Sequence, residues 1–238
     1  MQKNIIIKSK DRKVNIYGVL DSIANTKNII IFVHGLTGHK NEHHLYNGAK
    51  FFNSKGFNTF RFDLYSGRNK GRRLKNCSIK THSIDLETVI NHFKNRYKNI
   101  FLVGHSLGGP TILGANLANV NKIVLWDPST ILVKEDKSWF NFDKRINAYI
   151  IDWGVSIIAH KQLFDEWMNL DYTAWYKNCT QPLKIVCAEK GIVKHEWKKI
   201  LHNFKNKHEL RIVKKAGHCF DEEDTEISLF EETLAWFK

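Results

Sequence analysis

The chain alternates between short apolar runs and stretches of helical periodicity, and this alternation constrains its fold more than any other feature. Runs of strand length occupy residues 28–33, 57–62, 99–103, 122–126, 183–187 and 209–213. Apolar residues at three- and four-residue intervals predict helices over residues 44–55, 83–97, 107–119, 195–206 and 223–237. Residues 4–8 and 14–20 add an opening hairpin, which gives about eight strands in total. Strands that alternate with helices predict an α/β fold, a mostly parallel, doubly wound sheet covered on both faces.

One segment interrupts the alternation. The residues between Trp126 and Leu183 include four of the seven tryptophans, and residues 151–164 show helical spacing. We therefore expect residues 131–181 to form a helical cap inserted after the sixth strand. Residues 1–130 and 182–238 are expected to form the core. Most of the cap aromatics are expected to pack the insertion onto the core, and a few to line a pocket.

The motif Gly104-His105-Ser106-Leu107-Gly108 directly follows an apolar strand and directly precedes a helical pattern. This G-x-S-x-G pattern in a strand-to-helix context is typical of a sharp turn that exposes the serine hydroxyl at the carboxyl edge of a parallel sheet. The two glycines leave room for the strand and helix to close around the serine. Ser106 is therefore the predicted nucleophile.

Two further segments supply partners for Ser106. A second apolar strand ends at His34-Gly35, and the loop that follows could direct the N–H of Leu36 toward the same point as the N–H of Leu107. Two such donors would form an oxyanion hole for acyl transfer. His34 itself is expected to be a structural loop residue. His218 follows the last strand and precedes the terminal helix. Where a serine nucleophile lies in such a turn, the chain order is nucleophile, acid, base, so His218 is the predicted base.

Four motifs together carry a resemblance to a known family: HGLTGHKNE (34–42), RFDLYSG (61–67), GHSLGG (104–109) and AGHCF (216–220). Across nearly its full length the chain resembles the α/β-hydrolase superfamily. Within it, the chain is similar to small cap-bearing bacterial esterases, which include cinnamoyl (feruloyl) esterases and relatives of monoacylglycerol lipases. The resemblance implies hydrolysis of a carboxylic ester without a cofactor, through an acyl-enzyme on Ser106, with the cap selecting the acyl or alcohol group.

The third catalytic residue departs from the family pattern. Such enzymes commonly end the strand 183–187 with G-x-x-D, and the matching position here is Gly191. Asp127 is the predicted acid, because it directly follows an apolar strand and Pro128 restricts its backbone. Glu189 is the alternative acid, although its longer side chain and the neighbouring Lys190 favour it less. A histidine that works without a carboxylate is the third possibility.

The formal charge of +13 would suit an anionic partner. The basic residues are scattered, however, and no nucleic-acid-reading motif accompanies them, so nucleic-acid binding ranks last. A basic loop over residues 68–75 replaces the family's glycine-rich loop. It could attract an acidic substrate or an acyl carrier, but a solvated loop is the favoured interpretation.

Metals, disulfides and membrane spans are not expected. His39, His43 and His44 cluster in sequence, but we find no carboxylate or cysteine to complete a ligand set with them, so no metal or other cofactor is predicted. The four cysteines form no CxxC pair and are expected to be free thiols. No apolar run approaches the roughly 18 residues of a spanning helix, and a soluble, cytoplasmic protein is expected. The sequence does not indicate an oligomeric state.

The sequence therefore predicts a serine esterase that uses Ser106, His218 and Asp127. The same residues would serve a thioesterase or an acyltransferase. A hypothesis of another class is a ligand-binding protein that keeps the fold but has lost turnover because its acid is missing.

Overall fold

A computed structural model describes residues 1–23, 25–131, 140–152 and 156–238. Its strands, numbered in chain order, are β1 (Gln2–Lys8), β2 (Asn15–Asp21), β3 (Asn28–Val33), β4 (Asn58–Phe62), β5 (Asn99–His105), β6 (Lys122–Trp126), β7 (Phe140–Asp143), β8 (Ala148–Asp152), β9 (Ser156–His160), β10 (Leu183–Ala188) and β11 (His208–Val213). Its helices are α1 (His43–Ser54), α2 (Ile79–Phe93), α3 (Gly108–Leu113), α4 (Lys161–Met168), α5 (Tyr172–Asn178), α6 (Lys194–Leu201) and α7 (Thr225–Phe237).

Eight strands form the main sheet in the order β1-β2-β4-β3-β5-β6-β10-β11. The opening hairpin and the β2–β4 pair are antiparallel, and the remaining pairs are parallel. Strands such as β3 are apolar along their length because both of their faces are covered, as the sequence predicts. The predicted mostly parallel α/β sheet of about eight strands is confirmed.

The sheet separates two hydrophobic clusters. One contains residues of α2 and α6, such as Leu86 and Trp197, and the other contains residues of α1 and α7, such as Phe52 and Phe230. Parallel strands end at the same edge of a sheet, so this covered sheet gathers the loops after β3, β5, β6, β10 and β11 at one edge.

Two helices differ from their predicted bounds. Helix α2 begins at Ile79 rather than residue 83, because Ser78 and Thr81 form a reciprocal capping box at its start. Helix α3 ends at Leu113, well before residue 119. Beyond it, the side chain of Asn116 accepts a hydrogen bond from the N–H of Ala118, a local turn that competes with helix.

The insertion after β6 is not the helical cap that the sequence predicts. Strands β7, β8 and β9 form a separate antiparallel sheet, and α4 and α5 follow it. The runs around Ile150–Ile151 and Ile157–Ile158 are rich in β-branched residues, which pack well in strands, and apolar periodicity over so few residues does not separate strand from helix. Residues 132–139 and 153–155 of the insertion lie outside the described residues. The division into a core and an insertion over 131–181 remains our interpretation.

Helices long and apolar enough to cross a bilayer are absent from the described ranges of the chain.

Candidate active site

Ser106 lies at the junction of β5 and α3, at the carboxyl edge of the main sheet. Its φ of +53° is in the left-handed region, which is uncommon for a residue other than glycine. Its N–H donates to the carbonyl of Trp126 on the neighbouring strand (3.0 Å), which holds the turn in place. A Cβ at Gly108 would lie 2.4 Å from the carbonyl oxygen of Val33, so only glycine fits where the helix starts. The predicted turn around Ser106 is therefore formed.

His218 lies in the loop after β11 and reaches the same edge. Its Nδ1 is 2.6 Å from Oδ2 of Asp127, and its carbonyl oxygen accepts a hydrogen bond from Nε2 of His105 (2.9 Å). About half of its side chain is exposed (48%). Because Nδ1 of His218 is directed at a carboxylate, its Nε2 is the nitrogen that can exchange a proton with a substrate or a nucleophile.

Asp127 is held by hydrogen bonds to strand β10 and to His218. It follows β6 with a φ of +39°, and its residue exposure is 1%. Its N–H donates to the carbonyl of Val186 (2.8 Å), and Oδ1 accepts from the N–H of Ala188 (3.0 Å), while Oδ2 faces His218. Strand β10 therefore fixes the orientation of a carboxylate that belongs to β6.

Gly191 stands beside this carboxylate. A Cβ at Gly191 would lie 2.8 Å from both carboxylate oxygens of Asp127. Asp127 therefore occupies the space in front of the position where the family pattern has its aspartate. Glu189 is engaged elsewhere, because its Oε2 accepts a hydrogen bond from the N–H of Lys215 (2.8 Å).

The loop after β3 lies against Ser106. A Cβ at Gly35 would be 2.9 Å from Cβ of Ser106, so the backbone of this loop approaches Ser106 more closely than a side chain at position 35 would allow. Within the described part of the chain, neither the N–H of Leu36 nor that of Leu107 has a hydrogen-bond acceptor. Two free donors thus lie in the loop beside Ser106 and in the residue directly after it.

His34 holds this loop in place through hydrogen bonds of both ring nitrogens. Its Nε2 accepts a hydrogen bond from the N–H of Leu64 (2.9 Å), and its Nδ1 donates to the carbonyl of Gly35 (2.7 Å). Burial lowers the pKa of His34 to about 4, so the ring is neutral at neutral pH. These contacts agree with the structural role expected from the sequence.

A cavity of about 820 Å³ opens over these residues. Its lining combines polar and apolar side chains, which include Leu36, Ser106, Ser129, Ile131, Trp167, Ile192 and His218. Ser129 is a member that the sequence interpretation missed. Its Oγ is 3.3 Å from Oγ of Ser106, and its N–H donates to the carbonyl of Ser106 (3.0 Å). The signal that could have found it is its place two residues after Asp127, at the same strand end.

The insertion contributes one aromatic residue to the cavity among those described, Trp167, whose indole N–H donates to the carbonyl of Thr130 (2.8 Å). Phe140, Tyr149 and Phe164 instead pack on one another, with ring centroids 4.5–5.4 Å apart. Most of these aromatics are therefore structural, as expected. Trp139 and Trp153 lie outside the described residues.

The basic loop over residues 68–75 is tied to the core. Arg72 donates two hydrogen bonds to the carboxylate of Asp85 (2.7 and 2.9 Å), and Arg68 lies over the ring of Tyr17. The cavity instead includes Lys190, from the loop after β10. The other four basic residues, Arg68, Lys70, Arg73 and Lys75, are exposed and do not line the cavity, in agreement with the solvated loop favoured from the sequence.

Comparison with known proteins agrees with the fold. The family model described as serine aminopeptidase, S33, matches residues 24–140. The structure of Est1E from Butyrivibrio proteoclasticus with ferulic acid bound is 18% identical to this chain, with a TM-score of 0.78 over 98% of this chain and 99% of that one. The α/β hydrolase GrgF from Penicillium sp. (16% identical, TM-score 0.79) and the dienelactone hydrolase from Anabaena variabilis (15%, 0.73) match 100% of this chain and 98% and 96% of theirs.

The chain therefore has the α/β-hydrolase fold, and the resemblance predicted from its motifs is confirmed. The DNA repair and recombination protein RAD26 of Saccharomyces cerevisiae is 30% identical over an alignment 90 residues long, which covers 34% of this chain. This chain covers 8% of the length of that protein.

Proposed function

We propose that this chain, which has the α/β-hydrolase fold, is a serine hydrolase that cleaves carboxylic esters through an acyl-enzyme on Ser106. The observation that carries the proposal is the hydrogen bond of 2.6 Å between His218 and Asp127, at the wall of the cavity that also contains Ser106. The chain order Ser106, Asp127, His218 is the order nucleophile, acid, base that is typical of this fold, which supports the proposal.

In the proposed mechanism, Oγ of Ser106 attacks the ester carbonyl while Nε2 of His218 takes the hydroxyl proton. The carboxylate of Asp127 accepts the Nδ1–H of His218, fixes the tautomer and stabilises the imidazolium that forms. His218 then donates the proton to the leaving alkoxide. Water, activated by the same histidine, releases the acid and frees Ser106.

The negative charge on the carbonyl oxygen is assigned to the N–H groups of Leu36 and Leu107. Both are free of other acceptors in the described structure, and both lie next to Ser106 in space or in sequence. Donors fixed in advance by the backbone stabilise an oxyanion without reorganising during the reaction. The hydroxyl of Ser106, which now faces Ser129, turns toward His218 when substrate is bound.

Compact or aromatic acyl groups are the proposed substrates. The cavity of about 820 Å³ has Leu36, Ile131 and Trp167 among its apolar lining, which suits contact with a planar or short group. One similar structure carries ferulic acid, an aromatic acid. In a chain-length series of nitrophenyl esters we expect the highest kcat/KM at short acyl chains. A maximum at long chains would show that the cavity encloses a lipid instead.

A fluorophosphonate probe tests the enzyme class. We expect one probe per chain, attached to Ser106, together with hydrolysis of nitrophenyl esters. Binding of a small ligand without labelling would favour the non-catalytic ligand-binding protein. The main reason for that alternative was a missing acid, and the contact between His218 and Asp127 supports the enzyme.

The acyl acceptor and leaving group are tested separately. Matched nitrophenyl ester and acyl thioester substrates distinguish an esterase from a thioesterase by their ratio of kcat/KM. Addition of primary alcohols distinguishes a hydrolase from an acyltransferase, because transfer would yield a new ester in place of the free acid. We expect the ester to be preferred and the free acid to be the product.

A further inference from the structure

A second group of polar side chains lies beside the proposed base, and the proposed mechanism does not use it. It consists of Glu42, His44 and His105. Glu42 and His44 stand at the start of α1, and His105 is the last residue of β5, directly before Ser106. One ligand atom from each of the three lies within 4.8 Å of the other two. Of the three neighbouring histidines considered in the sequence, His39, His43 and His44, only His44 belongs to this cluster, and the carboxylate beside it is that of Glu42.

Four polar atoms of this cluster are buried and lack a partner in the part of the chain that the structure describes. Oε2 of Glu42, both ring nitrogens of His44 and Nδ1 of His105 have no hydrogen-bond partner among the described residues. The residues His44 and His105 are 1% and 4% exposed. Burying a polar group without a partner is unfavourable, and native structures avoid it unless the group has another role. One unpaired atom from each of the three residues can direct a lone pair at a common point, which indicates a missing cation, while the other ring nitrogen of His44 carries a hydrogen.

The protonation of His105 suits a metal ligand. Its Nε2–H donates to the carbonyl of His218 (2.9 Å), so Nδ1 carries a free lone pair that is directed into the cluster. A metal-binding histidine typically donates its other N–H to a carbonyl or carboxylate, and this contact fixes the ring orientation. His105 therefore already has the outer contact that a metal ligand requires.

The dimensions of the cluster suit a small cation. Nε2 of His44 is 3.9 Å from Oε2 of Glu42, which is too long for a hydrogen bond. Two ligands at about 2.1 Å from a tetrahedral Zn²⁺ lie about 3.4 Å apart, so this pair must close by about 0.5 Å and a pair at the 4.8 Å limit by about 1.4 Å, movements that the flexible Glu42 side chain would supply.

We propose that Glu42, His44 and His105 bind one Zn²⁺ ion in the wall of the cavity. Two imidazoles and one carboxylate form a ligand set that zinc uses in proteins, with the fourth position open. Glu42 and His105 line the cavity, so the open position faces it. This inference does not depend on the proposed hydrolase activity.

Zinc at this site would inhibit the proposed hydrolase. The rings of His105 and His218 are 4.8 Å apart, and His105 is bonded to the backbone of His218. A doubly charged ion on His105 opposes the positive charge that His218 acquires during attack on the ester. Zinc is thus expected to be a reversible regulator of the site rather than part of its chemistry.

The binding test uses the full chain, stripped with a chelator and titrated with Zn²⁺ in competition with a chelating dye. The metal content of the gel-filtered protein is also measured. We expect one zinc per chain. Glu42→Gln and His44→Gln should weaken binding by at least about a hundredfold. His43→Gln is the matched control and should bind like the parent, because His43 directly precedes His44 in α1 but its exposed ring is paired with Glu226 of α7.

Three outcomes would overturn the proposal: no zinc bound by the parent protein at micromolar concentration, unchanged binding in Glu42→Gln and His44→Gln, or equal loss in His43→Gln. Circular dichroism and thermal melting show whether each variant is folded. If His44→Gln does not fold, Glu42→Gln and the visible spectrum of the Co²⁺-loaded parent decide the question, because tetrahedral and octahedral Co²⁺ differ in intensity. Inhibition of ester hydrolysis by zinc, reversed by chelator in the parent and absent in Glu42→Gln, is the separate readout of regulation.

Discussion

The carboxyl ends of β6 and β10 are neighbours in the sheet, yet the acidic residues that follow them differ in burial and in the groups that they contact. The two strands pair in parallel from Leu183 with Ile123 to Val186 with Trp126, so Asp127 and Glu189 emerge at the same edge. Asp127 is buried, with one oxygen on the backbone of β10 and the other on His218. Glu189 is exposed, and its carboxylate contacts the backbone of Lys215.

In the proposed mechanism, this difference means that the acid is defined by where its carboxylate lies relative to His218, and that the end of either strand could supply it. Gly191 lies where the family pattern has an aspartate, and the absence of a side chain there leaves room for the carboxylate of Asp127. Burial and two fixed hydrogen bonds orient Asp127 at little entropic cost on reaction. Glu189 would have to give up its contact with Lys215 and order a longer side chain.

Loss of the proposed nucleophile should give the largest fall in activity, against which the effects of changes at the ends of β6 and β10 are compared. We expect Ser106→Ala to lower kcat for a nitrophenyl ester by roughly a million-fold, because the whole set of catalytic groups acts through this hydroxyl. The melting temperature should stay close to that of the parent. Substantial hydrolysis by the purified variant would end the assignment of Ser106.

A methyl group at Gly191 would displace the side chain of Asp127, the proposed acid, and leave its carboxylate chemically unchanged. In Gly191→Ala the new Cβ would lie 2.8 Å from both carboxylate oxygens of Asp127, so the side chain must shift. A displacement of about 1 Å at a catalytic group costs up to about a hundredfold, and we expect a loss of kcat of roughly ten- to a hundredfold. Lys190→Ala, at the adjacent position, is the control. Equal activity in Gly191→Ala and the parent would show that the position of Asp127 is unimportant.

Ser129 tests whether the end of β6 supplies a second group to the site. Its hydroxyl shares a hydrogen bond of 3.3 Å with Ser106. A neutral hydrogen bond contributes about 0.5–1.5 kcal/mol, so Ser129→Ala should change kcat by about two- to tenfold. Steady-state kinetics measure the effect. A loss as large as that of Ser106→Ala would place Ser129 among the essential catalytic groups.

Glu189→Gln should give the smallest effect, and only on stability. The amide keeps one acceptor oxygen for the N–H of Lys215 but loses the charge, so the free energy of unfolding should fall by less than about 1 kcal/mol. Denaturant titration measures it. A larger loss of stability would mean that the turn after β10 depends on this carboxylate.

The sequence predicted the sheet well because its strands are buried on both faces and their apolar runs stand out, as in β3 and β6. It placed Ser106 in a strand-to-helix turn because glycines mark that turn. It failed in the insertion, where short apolar runs around Ile150 and Ile157 fit strand and helix alike.

The candidate site was less accessible to sequence reasoning. The preference for Asp127 over Glu189 followed from local features of the sequence. A residue at the end of a strand is predicted to lie at the edge of the sheet, but its position in the sequence does not indicate how deeply its side chain is buried. Glu42 and His44 come from α1 and His105 from β5, and tertiary packing alone brings them together. A spacing pattern therefore cannot reveal that cluster.

The rate of Ser106 acylation in Asp127→Asn and Glu189→Gln, measured side by side with a nitrophenyl ester before the first turnover is complete, tests the central claim most directly. If Asp127 is the acid, its amide slows acylation by up to about ten-thousand-fold, because the tautomer of His218 is no longer fixed. Glu189→Gln should acylate at the rate of the parent. The reverse pattern would assign the acid to Glu189, and mild effects in both variants would contradict the account by showing that His218 works without a carboxylate.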